Sequence, residues 1–233
     1  MIARFLTVLL AAFLLALAAP LSRAQVGPSD RELHIYAGLH AAAAEGDVAA
    51  IERLIGEGEK PNIQDSRSRT PLIVAAFRRQ HEAAQALLQH GANPNAHDTD
   101  GYDALAIAVV NNDLDMVKIM IEGGADVRAK TGFDNGSALI SAAQLGQVEI
   151  VQALIAAKAD IDHANARGWT ALTTAVALGS GDKEHLAIVE ALVKAGADGD
   201  IKDRAGMKAI DYARRRGYSD MVPILEKAAG RHT

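Results

Sequence analysis

Apolar positions recur along this chain at a fixed interval. Leu39, Leu72, Leu105, Leu139, Leu172 and Ile210 hold the same place in successive units, at spacings of 33, 33, 34, 33 and 38 residues. A run of small residues follows the leucine in the first five units: Ala41-Ala42-Ala43-Ala44, Val74-Ala75-Ala76, Ile107-Ala108-Val109, Ser141-Ala142-Ala143 and Thr174-Ala175-Val176. After a short break comes a second stretch with apolar residues at i, i+3 and i+4. Leu114, Val117 and Ile121 are one example, and Val148, Val151, Leu154 and Ile155 another. That period is helical. The second stretch stops at Gly58, Gly91, Gly124, Lys158 or Gly196, and glycine there supplies the left-handed conformation that ends a helix cheaply. Each unit is therefore predicted to be helix, tight turn, helix, extended loop. One unit cannot bury its apolar faces alone, so neighbours must stack and share a core. Thr70, Asp103, Ser137 and Thr170 are placed to cap the first helices of four consecutive units. Asp30 to Glu45 is predicted as an opening helix, with Ser29 and Glu32 spaced as a capping box.

These residues resemble the ankyrin repeat. Thr70-Pro71-Leu72 and Gly168-Trp169-Thr170-Ala171-Leu172 match the way that repeat opens. Gly91-Ala92-Asn93-Pro94-Asn95, Gly124-Ala125-Asp126-Val127 and Gly196-Ala197-Asp198-Gly199-Asp200 match its close. The resemblance covers about Asp30 to Glu226. It implies an all-α fold, an ankyrin-repeat α-solenoid of about six helix-turn-helix units near 30–64, 65–97, 98–130, 131–164, 165–202 and 203–229. A short segment, 25–29, precedes the array and a tail, 230–233, follows it.

Ahead of the repeats lies an address. Arg4 gives a positive start, Phe5 to Ala19 is apolar apart from Thr7, Pro20 breaks the run, and Ser22-Arg23-Ala24 puts small residues at the two positions a signal peptidase must admit. The apolar run falls short of the roughly 20 residues that cross a bilayer. Met1 to Ala24 therefore reads as a cleavable signal peptide, leaving Gln25 to Thr233. The chain has no cysteine, which excludes a cysteine-linked lipid anchor and leaves no stable membrane anchor after cleavage. The expected location is the bacterial periplasm, or secretion from the cell.

Composition narrows the function. Forty-nine per cent of residues are hydrophobic, which excludes intrinsic disorder, and the missing cysteines exclude a disulfide scaffold, a thiol nucleophile and a thiolate metal site. Without Arg4 and Arg23 the formal charge moves from −5 to −7. The acidic excess lies before residue 200, and the remainder is weakly basic. Phosphate neutralisation needs a continuous basic face, so nucleic acid is not expected as a partner. The eight histidines form no His-x-x-x-His pair, and no nucleophile elbow, phosphate loop or dinucleotide fingerprint is present. Asp98-Thr99-Asp100-Gly101-Tyr102-Asp103 has alternating carboxylates like a partial calcium loop but lacks the late glutamate; it reads as a turn. His40, His81 and His185 read as structural. No catalytic residue, metal site or cofactor is expected.

Three departures from the pattern stand out. Ser180 to Glu184 are five extra residues between the helices of the fifth unit, expected to bulge outward as a loop. Arg79 sits where other units have Gly46, Asn112, Gly146, Gly179 and Gly217, so a positive φ, and relief on Arg79→Gly, are expected there. Lys158 replaces the helix-ending glycine of the fourth unit.

The resemblance also implies where a partner binds, since ankyrin arrays usually recognise proteins through the concave side made by loop tips and exposed first-helix positions. By position, that surface here includes Arg67, Arg69, Tyr102, Phe133 and Trp169 at the tips, and Phe77, Arg78, Leu145 and Leu178 on the first helices. Tyr102 and Trp169 are equivalent tip positions. Aromatic residues and arginine dominate binding energy at interfaces, so Tyr102, Phe133, Trp169, Phe77 and Leu145 are expected to form an exposed apolar strip, with Arg67, Arg69, Arg78 and Arg79 as a basic corner beside it. The expected function is a monomeric, non-catalytic module that binds an unidentified protein as adaptor, inhibitor or protective partner. The alternative is a small-ligand or metal sensor using loop His and Asp residues.

Overall fold

In the computed structural model of the protein, residues 27–229 are described; Met1 to Ala24 lie outside them. Among the described residues there are thirteen helices and, beyond them, a single isolated bridge between Thr131 and Gly136. The first unit holds α1 (Asp30–Ile35), α2 (Gly38–Glu45) and α3 (Val48–Gly56). Pairs follow: α4 (Pro71–Phe77) with α5 (His81–Gln89), and α6 (Ala104–Val110) with α7 (Leu114–Glu122). Next come α8 (Ala138–Gln144) with α9 (Val148–Ala156), α10 (Ala171–Ala177) with α11 (Lys183–Lys194), and α12 (Ala209–Arg216) with α13 (Val222–Ala228).

Two layers result. Each first helix packs on the first helix of the next unit, from α2 through α12, and each second helix packs on the next second helix, from α3 through α13. In the middle of the first-helix layer neighbours cover most of each helix: six consecutive residues, Ala104 to Val109, are buried in α6. Leu39, Leu72, Leu105, Leu139 and Leu172 are each at most 2% exposed and join one continuous core. Ile210, in the sixth unit, is partly buried and packs against the same core.

The predicted caps are present. Thr70, Asp103, Ser137 and Thr170 each accept a hydrogen bond from the backbone N–H three residues on, at 3.3, 2.7, 3.3 and 3.2 Å. The second helices are closed by left-handed residues at Gly58, Gly91, Gly124, Lys158 and Gly196. Lysine thus adopts the conformation that glycine takes in the other units.

Three expectations need correction. The opening helix is two helices. The capping box of Ser29 and Glu32 forms, but the chain turns extended at Tyr36 and Ala37 before α2 begins. The break lets the Tyr36 hydroxyl donate to Asp65 at 2.7 Å and the Leu39 N–H donate to Glu59 at 3.1 Å. The insertion is a loop only in its first part: Ser180, Gly181 and Asp182 lie exposed outside helix. Asp182 caps the His185 N–H at 2.9 Å, so Lys183 and Glu184 join α11, which has 12 residues where α9 has 9. Finally, Arg79 has φ 57°, in line with Gly46, Asn112, Gly146 and Gly217, but Gly181 rather than Gly179 takes the left-handed place in the fifth unit. Gly179 serves a close approach instead, because a Cβ there would collide with the Ala175 carbonyl and the His185 ring.

Candidate functional site

The loop tips are drawn up by a recurring device. Asp65, Asp98, Asn165 and Asp203 each accept, with Oδ1, from the N–H groups two and four residues on, at 2.8 to 3.1 Å. The Asp98 carboxylate is thereby committed to its own turn. Burial, the largest influence, raises its pKa above the ordinary carboxylate value. In the fourth unit the Thr131 N–H donates to the Gly136 carbonyl at 3.0 Å, closing a small loop from which Phe133, Asp134 and Asn135 stand out. Neighbouring tips are tied together by Thr99 N–H to the Arg67 carbonyl, Gly132 to Gly101, Ala166 to Asp134 and Arg204 to Arg167, at 2.9, 3.1, 2.7 and 3.1 Å. Side chains on successive tips are therefore held at fixed separations.

Tyr102 and Trp169 fold inward, 9% and 7% exposed, and form walls rather than an exposed strip. The Trp169 Nε1–H donates to Asp203 at 2.9 Å, and its ring meets Tyr212 edge to face at 6.1 Å. The Tyr212 hydroxyl donates to the same Asp203 oxygen at 2.6 Å. Burial pushes the Asp203 pKa up, but hydrogen bonds from Tyr212, the Met207 N–H, Trp169 and the Ala205 N–H outweigh it and hold the carboxyl below its ordinary value. Burial, then the bond to Asp203, pushes Tyr212 up to about 12. Phe133 is 78% exposed and Leu145 42%.

Four of the sequence-identified positions converge. Tyr102, Phe133, Trp169 and Leu178 line one depression of about 90 Å3 across units three to five, walled by tips on one side and by α8 and α10 on the other. Ile140, Ser141, Gln144, Asn165, Arg167 and Thr174 also line it. The remaining positions lie elsewhere. Phe77 is half-buried, with Gly27 so close that a Cβ there would sit 3.1 Å from the ring. Arg78 is exposed on the same unit. Arg67 pairs with Asp100 at 2.5 Å. Leu145 caps the end of α8.

Arg69 is not at the surface. It is 1% exposed, donates to Asp65 at 2.7 Å and to Glu32 at 2.6 Å, and its carbonyl lies 2.8 Å from His40 Nε2. The guanidinium is drawn inside because it joins α1 to the second tip. Glu32 titrates below its ordinary value chiefly through bonds from Ser29, with Arg69 adding to the effect. At Asp65 burial pushes upward, but Tyr36 and Arg69 hold the carboxyl down. Arg79 is likewise engaged, donating to the Asn111 carbonyl at 2.8 Å and lying 3.3 Å from Asp113. The expected basic corner is thus reduced to Arg78.

Two contributors escaped sequence reasoning. Thr174 reads as one more small residue of a core helix, yet its hydroxyl is buried without a hydrogen-bond partner beside the depression. Asp203, which fastens Trp169, was legible in principle, because it occupies the turn place of Asp65 and Asp98. The histidines that read as structural have partners: besides His40, His81 Nε2 lies 2.9 Å from Asp113, and His185 Nδ1 lies 2.7 Å from Asp182. Among the described residues no three His, Asp or Glu side chains group to hold a metal ion, and no helix is long and apolar enough to cross a membrane.

A two-layer stack of repeats that presents rigidly spaced tips above a helical wall defines a repeat-built recognition scaffold. The family profile described as "Ankyrin repeats (3 copies)" matches residues 39–131 and 139–231. The chain belongs to the ankyrin repeat family, whose repeats are protein–protein interaction modules. It is 29% identical over 185 residues to the ankyrin repeat protein YahD of Escherichia coli (strain K12), covering 79% of this chain and 92% of that protein. A solved ankyrin repeat domain from Acinetobacter baumannii AYE superposes with TM-score 0.78 at 35% identity, covering 82% of this chain and 97% of that one. A chain in the solved complex of the predatory endopeptidase Bd0816 of Bdellovibrio bacteriovorus with the immunity protein Bd3460 gives TM-score 0.69 at 30% identity, covering 82% and 98%.

Proposed function

We propose that this chain is an exported, monomeric and non-catalytic binding protein. It acts in the bacterial periplasm as adaptor, inhibitor or protective partner of another protein, and it engages that protein through the tips and first helices of units three to five. The observation that carries the reading is the convergence of Tyr102, Phe133, Trp169 and Leu178 on one depression, with Phe133 left almost free of its own fold. A large apolar side chain held on a tied loop loses little further freedom on binding, which favours affinity. The likeness to a chain from an endopeptidase–immunity protein complex supports the inhibitory or protective version.

Co-purification from the periplasmic fraction of the native cell tests this. Tyr102 and Trp169 hold the loops, so Phe133→Ser and Leu145→Ser are the suitable variants. One companion protein should accompany the wild-type chain in stoichiometric amount and be lost from the Phe133→Ser preparation. Recovery of the chain alone, or from the cytoplasm, counts against the proposal.

A further inference from the structure

The lining of the depression specifies what fits it. Its walls are the rings of Tyr102, Phe133 and Trp169, and aromatic rings pack well edge to face against a further ring. Thr174 also lines the depression, its hydroxyl buried and without a hydrogen-bond partner, and Ser141 occupies the equivalent place one unit earlier. A buried hydroxyl without a partner costs free energy that an incoming polar group can recover. Charge is unevenly placed around this floor. Asp134 lines the depression on the fourth unit's tip, and Asp100 stands on the third tip in its pair with Arg67. Towards the sixth unit stand Arg167, its guanidinium 5.6 Å over the Trp169 ring, and Arg204 on the adjoining tip. Neither arginine makes an ion pair among the described residues. Asp203 lies beneath them, but its oxygens are taken by Trp169, Tyr212 and two backbone N–H groups.

Resting on the reading of this face as a binding surface, we infer that the depression receives an extended segment of the partner that inserts a tyrosine between Phe133 and Trp169 and places acidic residues against Arg167 and Arg204. The tyrosine ring completes the aromatic box, and its hydroxyl reaches towards Thr174. The acidic side runs towards the sixth unit, because Asp134 repels it at the other rim.

The test is selection from a phage-displayed library of random dodecapeptides on the purified protein, followed by titration of the enriched peptides as synthetic probes. Trp169 is the sole tryptophan of the chain, so its emission reports occupancy directly. Enriched sequences should pair a tyrosine with Asp or Glu within about three positions and should change Trp169 emission. Thr174→Val should weaken them about three- to tenfold with an unchanged or higher melting temperature. Arg167→Glu/Arg204→Glu should weaken them more than about tenfold and, on reselection, exchange the acidic residues for Lys or Arg. Peptides without acidic residues, binding unaffected by the charge reversal or by Thr174→Val, or no enrichment at all would each overturn the inference. If a companion protein still co-purifies and is lost on Phe133→Ser, only this account of the segment fails. If no companion is recovered either, the broader reading fails with it.

Discussion

The Trp169 indole N–H and the Asp203 carboxylate, 34 residues apart, meet at 2.9 Å across two neighbouring loop tips. This bond fixes the ring that walls the depression. It also ties the fifth unit to the sixth, whose own first helix contributes Tyr212 to the same oxygen. Position and stability are therefore supplied by one contact.

Replacing Asp203 with Asn should loosen both. Hydrogen bonds to charged groups contribute about 1.5–3 kcal/mol, and a loss in that range is expected in urea unfolding followed by Trp169 emission. The Asp203 pKa is depressed in the folded state. Its contribution is therefore complete above the unfolded carboxylate value near 3.9 and disappears as pH falls through the lower folded value. Wild type should lose stability below about pH 4 more steeply than Asp203→Asn.

Arg69→Ala leaves Asp65 and Glu32 facing each other without their cation. Breaking a buried ion pair costs about 3–5 kcal/mol, and the lower end is expected because Glu32 keeps some contact with water. Hydrogen exchange should quicken first in α1, which Arg69 fastens to the second tip. Uniform exchange along the chain would assign Arg69 no such local role.

Lys158 and Arg79, two of the five non-glycine residues with positive φ among the described residues, should behave differently. Lys158, at φ 67°, is exposed and has no side-chain bond among the described residues, so Lys158→Gly should stabilise by about 0.5–1 kcal/mol as the left-handed strain is relieved. Arg79, at φ 57°, gains the same relief on Arg79→Gly. It loses the bond to the Asn111 carbonyl and the contact with Asp113, each worth about as much. The sum should be a net loss of about 0.5–1 kcal/mol, and thermal melts of the two variants side by side would reveal the contrast.

Asp182→Ala removes the cap that starts α11 within the insertion. A cost of about 0.5–2 kcal/mol is expected, with circular dichroism registering a small loss of helix at the start of α11. Bonds from Ser180, then from the His185 N–H and ring, hold this carboxyl well below the ordinary range. The stabilisation is thus present above about pH 4 and lost in stronger acid.

The sequence by itself determined the repeat, the alternation of two helix types and the helix ends. These depend on local chemistry: a cap oxygen three residues before an N–H, a left-handed closing residue, a leucine every 33 residues. It also nominated the tip aromatics, because equivalent positions in a repeat point the same way. What tertiary structure alone decided was exposure and partnership. Arg67 and Arg69 read alike in the chain, yet one pairs with the next tip at the rim while the other is sealed inside by Glu32, which lies 37 residues earlier. Tyr102 and Trp169 turned inward while Phe133, from an irregular loop, turned outward. Thr174 became a buried hydroxyl without a partner only once neighbouring units closed around it. Local rules specify backbone conformation within a few residues. Burial and ion pairing arise from groups brought together by stacking, whose separations in the sequence exceed the reach of any such rule.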